Sequence, residues 1–216
     1  MSSSRSDQPS PRPSPQPSPR RYHHGDLRNA LIDAAVDLIA ERGVRVFSLA
    51  EAGRRVGVSA AAPYRHFADR EDLLAAVAVR AITAFGETVI ASVPVDLPPG
   101  DRLAAVADAY VRFAGTQRTL FESIFATGID KSRYPEVHEA EAPIDAVVQD
   151  CVTQLCPGDP GAAESLADAL AATAHGYATR LLDGMFATDP DPVGTASQKA
   201  AVAVRALVRG RDSFAS

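Results

Sequence analysis

The chain lacks most of what would mark it as an enzyme, a membrane protein or a cross-linked secreted scaffold. Its 216 residues contain no Gly-x-Ser-x-Gly elbow, no phosphate-cradling glycine loop ending in Lys-Ser/Thr and no His-Glu-x-x-His pair. No uninterrupted apolar run approaches the roughly 20 residues of a bilayer-crossing helix, and the N-terminus has no apolar signal-peptide centre. A cytoplasmic protein with no membrane partner and no cofactor is expected. Cys151 and Cys156 are the only cysteines, in a helical pattern that ends at Pro157. Five residues apart on a helix, their side chains diverge, so two buried apolar thiols are expected and not a disulfide. No zinc-ligand spacing occurs, no repeat recurs at 30 to 45 residues, and no stretch alternates with period two.

What is present is apolar, helical in pattern and unevenly charged. An apolar fraction of 46% can fill a core and excludes disorder throughout. The net charge of -5 argues at first against a nucleic-acid partner, but its distribution reverses the argument. Residues 1–92 hold 12 Lys+Arg against 10 Asp+Glu, and residues 93–216 hold 10 against 17, so the basic excess lies in the N-terminal half.

Residues 1–20 contain six prolines alternating mainly with Ser and Arg, which reads as a disordered tail. Its Arg12, with Arg20 and Arg21, could touch phosphates, and a solubilising tail is an equal reading. From Asp26, placed as a helix cap, Leu27, Leu31, Ala34 and Leu38 share one helical face up to Gly43. A short helix follows at Ser48 to Val56, with Ser48 as N-cap and Glu51 closing a capping box. Gly57 and Val58 turn the chain into a second short helix, Ser59 to Phe67. A longer helix spans about 69–92, with Leu74, Val77, Ala81 and Phe85 on one face, and Pro94 to Gly100 forms a loop beyond it. Further helices are predicted from the Leu103, Val106, Tyr110, Phe113 spacing and at about 117–126, 136–155, 162–184 and 196–209. The fold class is therefore all-α. Residues 1–20 form a tail, 21–68 a helix-turn-helix unit, 69–92 a connecting helix and 93–216 a second helical domain.

Two short helices around a glycine turn cannot bury a core alone, so Ser48 to His66 needs the preceding helix for support and has a surface to use. In a helix-turn-helix the second helix enters the major groove of double-stranded DNA. Gly53 is small where the two helices approach, and Gly57 can take the positive φ of the turn. The leading end of the second helix carries Ala60 and Ala61, which permit close backbone approach. Ser48, Arg54, Arg55, Ser59, Tyr64, Arg65, His66 and Arg70 surround the motif as candidate contacts, with Arg65 or Arg55 able to reach guanine. Pro63 lies within the first turn, where a missing N–H costs less. His23 and His24 have no further ligands nearby for a metal and read as a lead-in to the first helix.

Tyr22-His23-His24-Gly25-Asp26-Leu27-Arg28, Ala40-Glu41-Arg42-Gly43, Val58-Ser59, Tyr64-Arg65-His66-Phe67 and Glu71-Asp72-Leu73-Leu74 together resemble the DNA-binding domain of TetR-type transcriptional regulators over residues 22–80. Ala174-His175-Gly176 resembles the Trp-His-Gly element of one TetR C-terminal subfamily, with Ala174 in place of the tryptophan. The resemblance implies three N-terminal helices for DNA and a C-terminal bundle of about six helices. It further implies a homodimer formed through the last two long helices, a small-molecule effector, and repression of a palindromic operator relieved when the effector separates the two DNA-binding units.

Aromatic side chains in the second domain are candidates for ordinary core or for an apolar effector site. Phe113, Phe121, Phe125 and His175 are the residues singled out for the effector, with close backbone packing beside Gly176 as the other reading of His175. Ala167, Ala171, Ala174 and Ala178 would let another helix approach, within the chain or from a second copy. A small all-α enzyme and a helical protein-interaction adaptor stand as the alternatives.

Overall fold

The structure is a computed structural model that describes residues 24–44, 46–125 and 129–214, with the backbone alone for 24–26 and 131. The tail at 1–20 and its arginines, and His23, lie outside the described residues. Eight α-helices and no strand occur among the described residues: α1 (His24–Arg42), α2 (Leu49–Val56), α3 (Arg70–Ser92), α4 (Pro99–Thr116), α5 (Arg118–Phe125), α6 (Pro135–Leu155), α7 (Pro160–Leu182) and α8 (Pro192–Arg209). The all-α expectation holds.

The N-terminal elements are bounded by local chemistry. α1 begins at His24, so Asp26 sits inside its first turn and is not its N-cap. Gly43 ends it at φ 81°. Ser48 caps α2 by accepting from the Glu51 N–H at 3.2 Å. The reciprocal half of the expected capping box is not made, because the Glu51 carboxylate pairs with Arg42 on α1. At the other end Gly57 takes φ 80°. Its N–H bonds the Arg54 carbonyl at 3.1 Å and that of Val58 bonds Gly53 at 3.0 Å, the paired geometry of a Schellman stop.

The second helix of the motif departs from expectation. Ser59 to Phe67 is not an α-helix but a turn followed by a single 3-10 turn, Pro63–Arg65. Proline is the cause, since residue 63 has no N–H to return to the Ser59 carbonyl. That carbonyl is met instead by Ala62 at 3.0 Å, and Arg65 bonds Ala62 at 3.2 Å, both three residues back.

The last three helices start earlier than the spacing predicts, at 135, 160 and 192 instead of about 136, 162 and 196. α4, α6, α7 and α8 each open on a proline, at Pro99, Pro135, Pro160 and Pro192. Asp159 and Asp191 precede two of them and accept from Ala162 and Gly194 N–H groups, each at 2.9 Å. Proline suits the first helical position because that N–H has no partner in any case.

Two cores form. Leu31, Leu38, Phe47, Leu49, Phe67, Leu73, Leu74 and Val77 close the N-terminal one, and Phe67 is 1% exposed at its centre. The larger core lies among α4, α7 and α8 with α6 against it, built from Leu103, Ala107, Val111, Leu166, Leu170, Ala200 and Val204. α3 belongs to both, giving Leu73, Leu74 and Val77 to the first and Phe85 and Val89 to the second. Between them Ala75 and Ile82 meet Tyr134 and Val137 in a small junction. Length and composition alone would let α3 cross a membrane, contrary to the expectation of no such candidate, but 61% of its apolar window is buried within the protein. Cys151 and Cys156 are free thiols, and only Cys151 is fully buried.

Candidate DNA-binding surface and interior cavity

The turn between α2 and α3 is held from below and bare above. Pro63 is buried and packs on Gly53 so closely that a Cβ at 53 would lie 2.6 Å from its Cγ. Phe67 anchors the far end, with the Arg28 guanidinium 5.2 Å from its ring centroid. The outward side chains are therefore fixed in direction by two inward ones. Ser48, Ser59, Ala60, Ala61 and Arg65 are exposed, His66 is half-buried, and Tyr64 is 57% exposed, high for a ring of that size.

The predicted arginines divide by what their guanidinium groups already hold. Arg54 and Arg65 are exposed. Arg55 donates to Glu41 on α1, at 2.9 Å from Nη1 and 2.5 Å from Nη2, and lies 3.7 Å from Asp37. That bond holds the Glu41 carboxyl below its ordinary pKa and raises Arg55. Arg70 reaches back to the loop before α2, donating to the Phe47 carbonyl at 3.1 Å and to that of Val44, with its guanidinium 4.9 Å from the Phe47 ring centroid. Its bonds hold the segment that presents Ser48.

In the C-terminal domain a cavity of about 700 Å³ opens among α3, α4, α5, α6 and α7. Most of its wall is apolar, and small side chains create the space: Ala107, Ala167, Ala171 and Ala174 all line it. The alanine series on α7 thus divides, with Ala178 buried against the core and three members facing the cavity. Phe85, Tyr110 and Phe125 form an aromatic wall beside His175. The Tyr110 hydroxyl lies 3.0 Å from His175 Nδ1, and burial pushes the phenol pKa upward, so Tyr110 keeps its proton. Of the four residues singled out from sequence, Phe125 and His175 line the cavity. Phe121 stands behind them, 5.9 Å from the imidazole and 5.1 Å from Phe125 between centroids, and Phe113 packs against Phe85 at 5.3 Å with the rings tilted by 50°.

Residues 31–77, from α1 into α3, match the family described as "Bacterial regulatory proteins, tetR family", and residues 103–209, α4 to α8, match "Tetracyclin repressor-like, C-terminal domain". A protein of unknown function from Rhodococcus sp. RHA1 superposes with a TM-score of 0.71 at 32% identity, over 89% of this chain and 98% of that one. The chain belongs to the TetR family of transcriptional regulators. A TetR-like transcriptional regulator from the same organism shares the fold, with a TM-score of 0.62 at 20% identity over 88% of this chain and 98% of its own. An uncharacterized HTH-type transcriptional regulator of Mycobacterium tuberculosis is 29% identical over 110 residues, 50% of this chain and 47% of its own. The chain spans about half the length of the curated relatives it matches. The family is one of transcriptional regulators and not of enzymes.

In this TetR-family protein the sequence reading missed several cavity residues. Phe85 was placed on an apolar helix face with nothing to tell it from core. Glu141, Asp145 and Asp168 line the same cavity and carry charge on helices otherwise read for their apolar faces. The i, i+4 spacing of Glu141 and Asp145 beside Ile144 and Val148 was the available signal, since it puts acids next to an inward apolar stripe. Ala174-His175-Gly176 lies within α7, and the Trp-His-Gly subgroup stands as an expectation.

Proposed function

We propose that this TetR-family regulator is a cytoplasmic repressor that binds a palindromic operator as a homodimer and is released by a small apolar effector. The observation that carries the reading is the pairing of an outward, inflexibly mounted Tyr64 and Arg65 with an interior cavity, both bearing on α3. Division of labour follows the domain limits read from sequence: 21–68 for DNA, 69–92 for transmission, 93–216 for effector and dimer contacts.

Ser48, Arg54, Ser59 and His66 serve as phosphate or groove-edge contacts, and Ala60 and Ala61 let the backbone approach. Tyr64 and Arg65 are the side chains with length to reach base edges. Arg55 and Arg70 act by positioning, because their donors are held by Glu41 and by loop carbonyls. A duplex from the promoter of its own gene should be shifted by the full chain, with affinity falling steeply as salt rises. Tyr64→Ala and Arg65→Ala should each weaken binding about tenfold without changing thermal unfolding, consistent with the ~1–3 kcal/mol of a base contact. Unchanged affinity in both variants, or binding insensitive to salt, would remove the groove reading.

Dimerisation is assigned to the outer face of α7 and α8. Val202 is 60% exposed on α8, in a shallow apolar groove with Tyr177, Ala203 and Ala206. A second copy of the same face is the occupant that closed two-fold symmetry provides, and it would set the two DNA-binding units on half-sites of a palindrome. Val202→Asp should convert the dimer to monomer in sedimentation at micromolar concentration and lower operator affinity at least tenfold. A wild-type chain that sediments as a monomer at that concentration would rule the arrangement out.

A further inference from the structure

We propose that the effector is a ring compound carrying a hydrogen-bond-accepting oxygen, as in a ketone, quinone or lactone, which the cavity receives on the Nε2–H of His175. This rests on the reading of the cavity as the effector site, and it adds the polar group by which the ligand is recognised.

The imidazole of His175 is a clamped ring with one free corner. Its centroid lies 4.7 Å from that of Phe125 and 5.9 Å from that of Phe121, whose plane is within 26° of its own. The Tyr110 hydroxyl occupies Nδ1 at 3.0 Å. Nε2 has no hydrogen-bond partner among the described residues. It is not sealed inside the protein either, because the one fully buried side-chain polar atom without a partner among those residues is Arg102 Nε. His175 lines the cavity, and the open nitrogen is the polar atom it offers there. Close backbone packing at Gly176 does not account for the histidine, since a Cβ at 176 would meet nothing within 4 Å.

Tyr110 settles which nitrogen carries the proton. Burial raises the phenol pKa, so the hydroxyl keeps its hydrogen, and Nδ1 is its acceptor among the described residues. With that bond made Nδ1 is bare and Nε2 bears the N–H. A doubly protonated ring would present the same Nε2–H to the cavity. The group donates in either state, so the ligand must accept. A carbonyl oxygen does this without bringing a hydrogen of its own into an apolar wall, where it would be left unpaired. The ring body packs on Leu103, Val106, Leu170 and the faces of Phe85 and Phe125. Acids at the opening give no sign to the ligand, since Glu141 and Asp145 interact with protein groups and Asp168 is exposed to solvent.

Ketone and hydrocarbon pairs of one shape isolate the bond. Binding of 9-fluorenone against fluorene, and of benzo[b]fluorenone against benzo[b]fluorene, can be compared by equilibrium dialysis with the full chain. A cavity without a donor would favour each hydrocarbon, because the carbonyl loses its hydration on entry. The wild-type chain should instead bind each ketone at least threefold tighter than its hydrocarbon. The double variant Tyr110→Phe, His175→Phe removes the donor without leaving the phenol unpaired, and should reverse the order. His175→Asn, whose shorter side chain has no atom at the Nε2 position, should reverse it too if the double variant fails to fold. Ala167→Trp and Ala171→Trp, both at positions that line the cavity, should each weaken ketone binding at least tenfold. Hydrocarbons held as tightly as ketones by the wild-type chain, or a ketone preference that survives loss of the imidazole, would overturn the His175 contact, and exclusion by the tryptophans would then leave the cavity as the effector site. Absence of binding by all four compounds, or binding unaffected by both tryptophan variants, would overturn the contact and the cavity reading together.

Discussion

Gly53→Val should reduce operator affinity at least a hundredfold while the C-terminal domain remains folded. Helix propensity argues the other way, because replacing glycine by valine inside α2 should favour the helix by about 0.3 kcal/mol. Packing decides the sign. A Cβ at 53 would lie 2.6 Å from the Pro63 Cγ, and the neighbouring Cδ is at 3.2 Å. A proline ring cannot rotate away on a flexible stem, so relief requires the whole 3-10 turn to shift, taking Tyr64 and Arg65 with it. Overpacking of this kind costs about 1–3 kcal/mol in stability. Much larger is the effect on binding, since base contacts depend on a correctly aimed turn. The two cores share only α3, so the far-ultraviolet signal of the bundle should survive while the operator shift is lost. Wild-type affinity in Gly53→Val would mean that the turn does not dock on DNA.

Arg70→Ala and Arg54→Ala should both weaken operator binding, and only Arg54→Ala should change its salt dependence. Arg70 satisfies the Phe47 and Val44 carbonyls and covers the Phe47 ring. Its removal leaves half-buried acceptors without a charged donor, at about 1–3 kcal/mol. The loop before Ser48 then loosens, α2 loses its fixed start, and affinity falls about tenfold with the salt slope unchanged. Arg54 is exposed on the last turn of α2, and loss of a phosphate contact there should lower the slope of log affinity against log salt by about one. Arg54→Ala should leave thermal unfolding unaltered. A reduced slope in Arg70→Ala would place Arg70 on the phosphate backbone and defeat its positioning role.

How far the sequence could be read depended on how local the cause was. Ser48 as a cap and Gly57 as a left-handed stop are each decided within five residues, and both appear where the residue types place them. Asp-Pro at 159–160 and 191–192 carries an equally local helix start, since each aspartate caps the helix and each proline suits its first position. The Ser59 to Phe67 segment shows competition between two local rules. Its composition favours helix, but Pro63 removes the one N–H that would have closed the first α-turn. Glu51 failed its half of the capping box for a non-local reason, the arrival of Arg42 from the preceding helix.

The candidate DNA contacts came from chain order around a turn, and most of them are exposed. Their separation into exposed and internally bonded arginines did not come from order. Arg55 and Arg54 are neighbours in the same helix, yet one faces Glu41 of α1 and the other faces solvent. A rotation of about 100° per residue is enough to assign them different tasks, but only the position of α1 says which is which.

The sequence by itself determined an all-α chain, the capped start at Ser48 and glycine stop at Gly57 of the short helix between them, and the concentration of acidic charge in the second half, because caps, glycine turns and periodicity act over a few residues. Tertiary structure alone decided that Gly53 seats Pro63, that Arg70 holds a loop, and that alanines on α4 and α7 leave a cavity ringed by aromatic side chains and three acids. A cavity is a property of the space between helices. Side chains far apart in the chain define it jointly, and no segment read alone contains it.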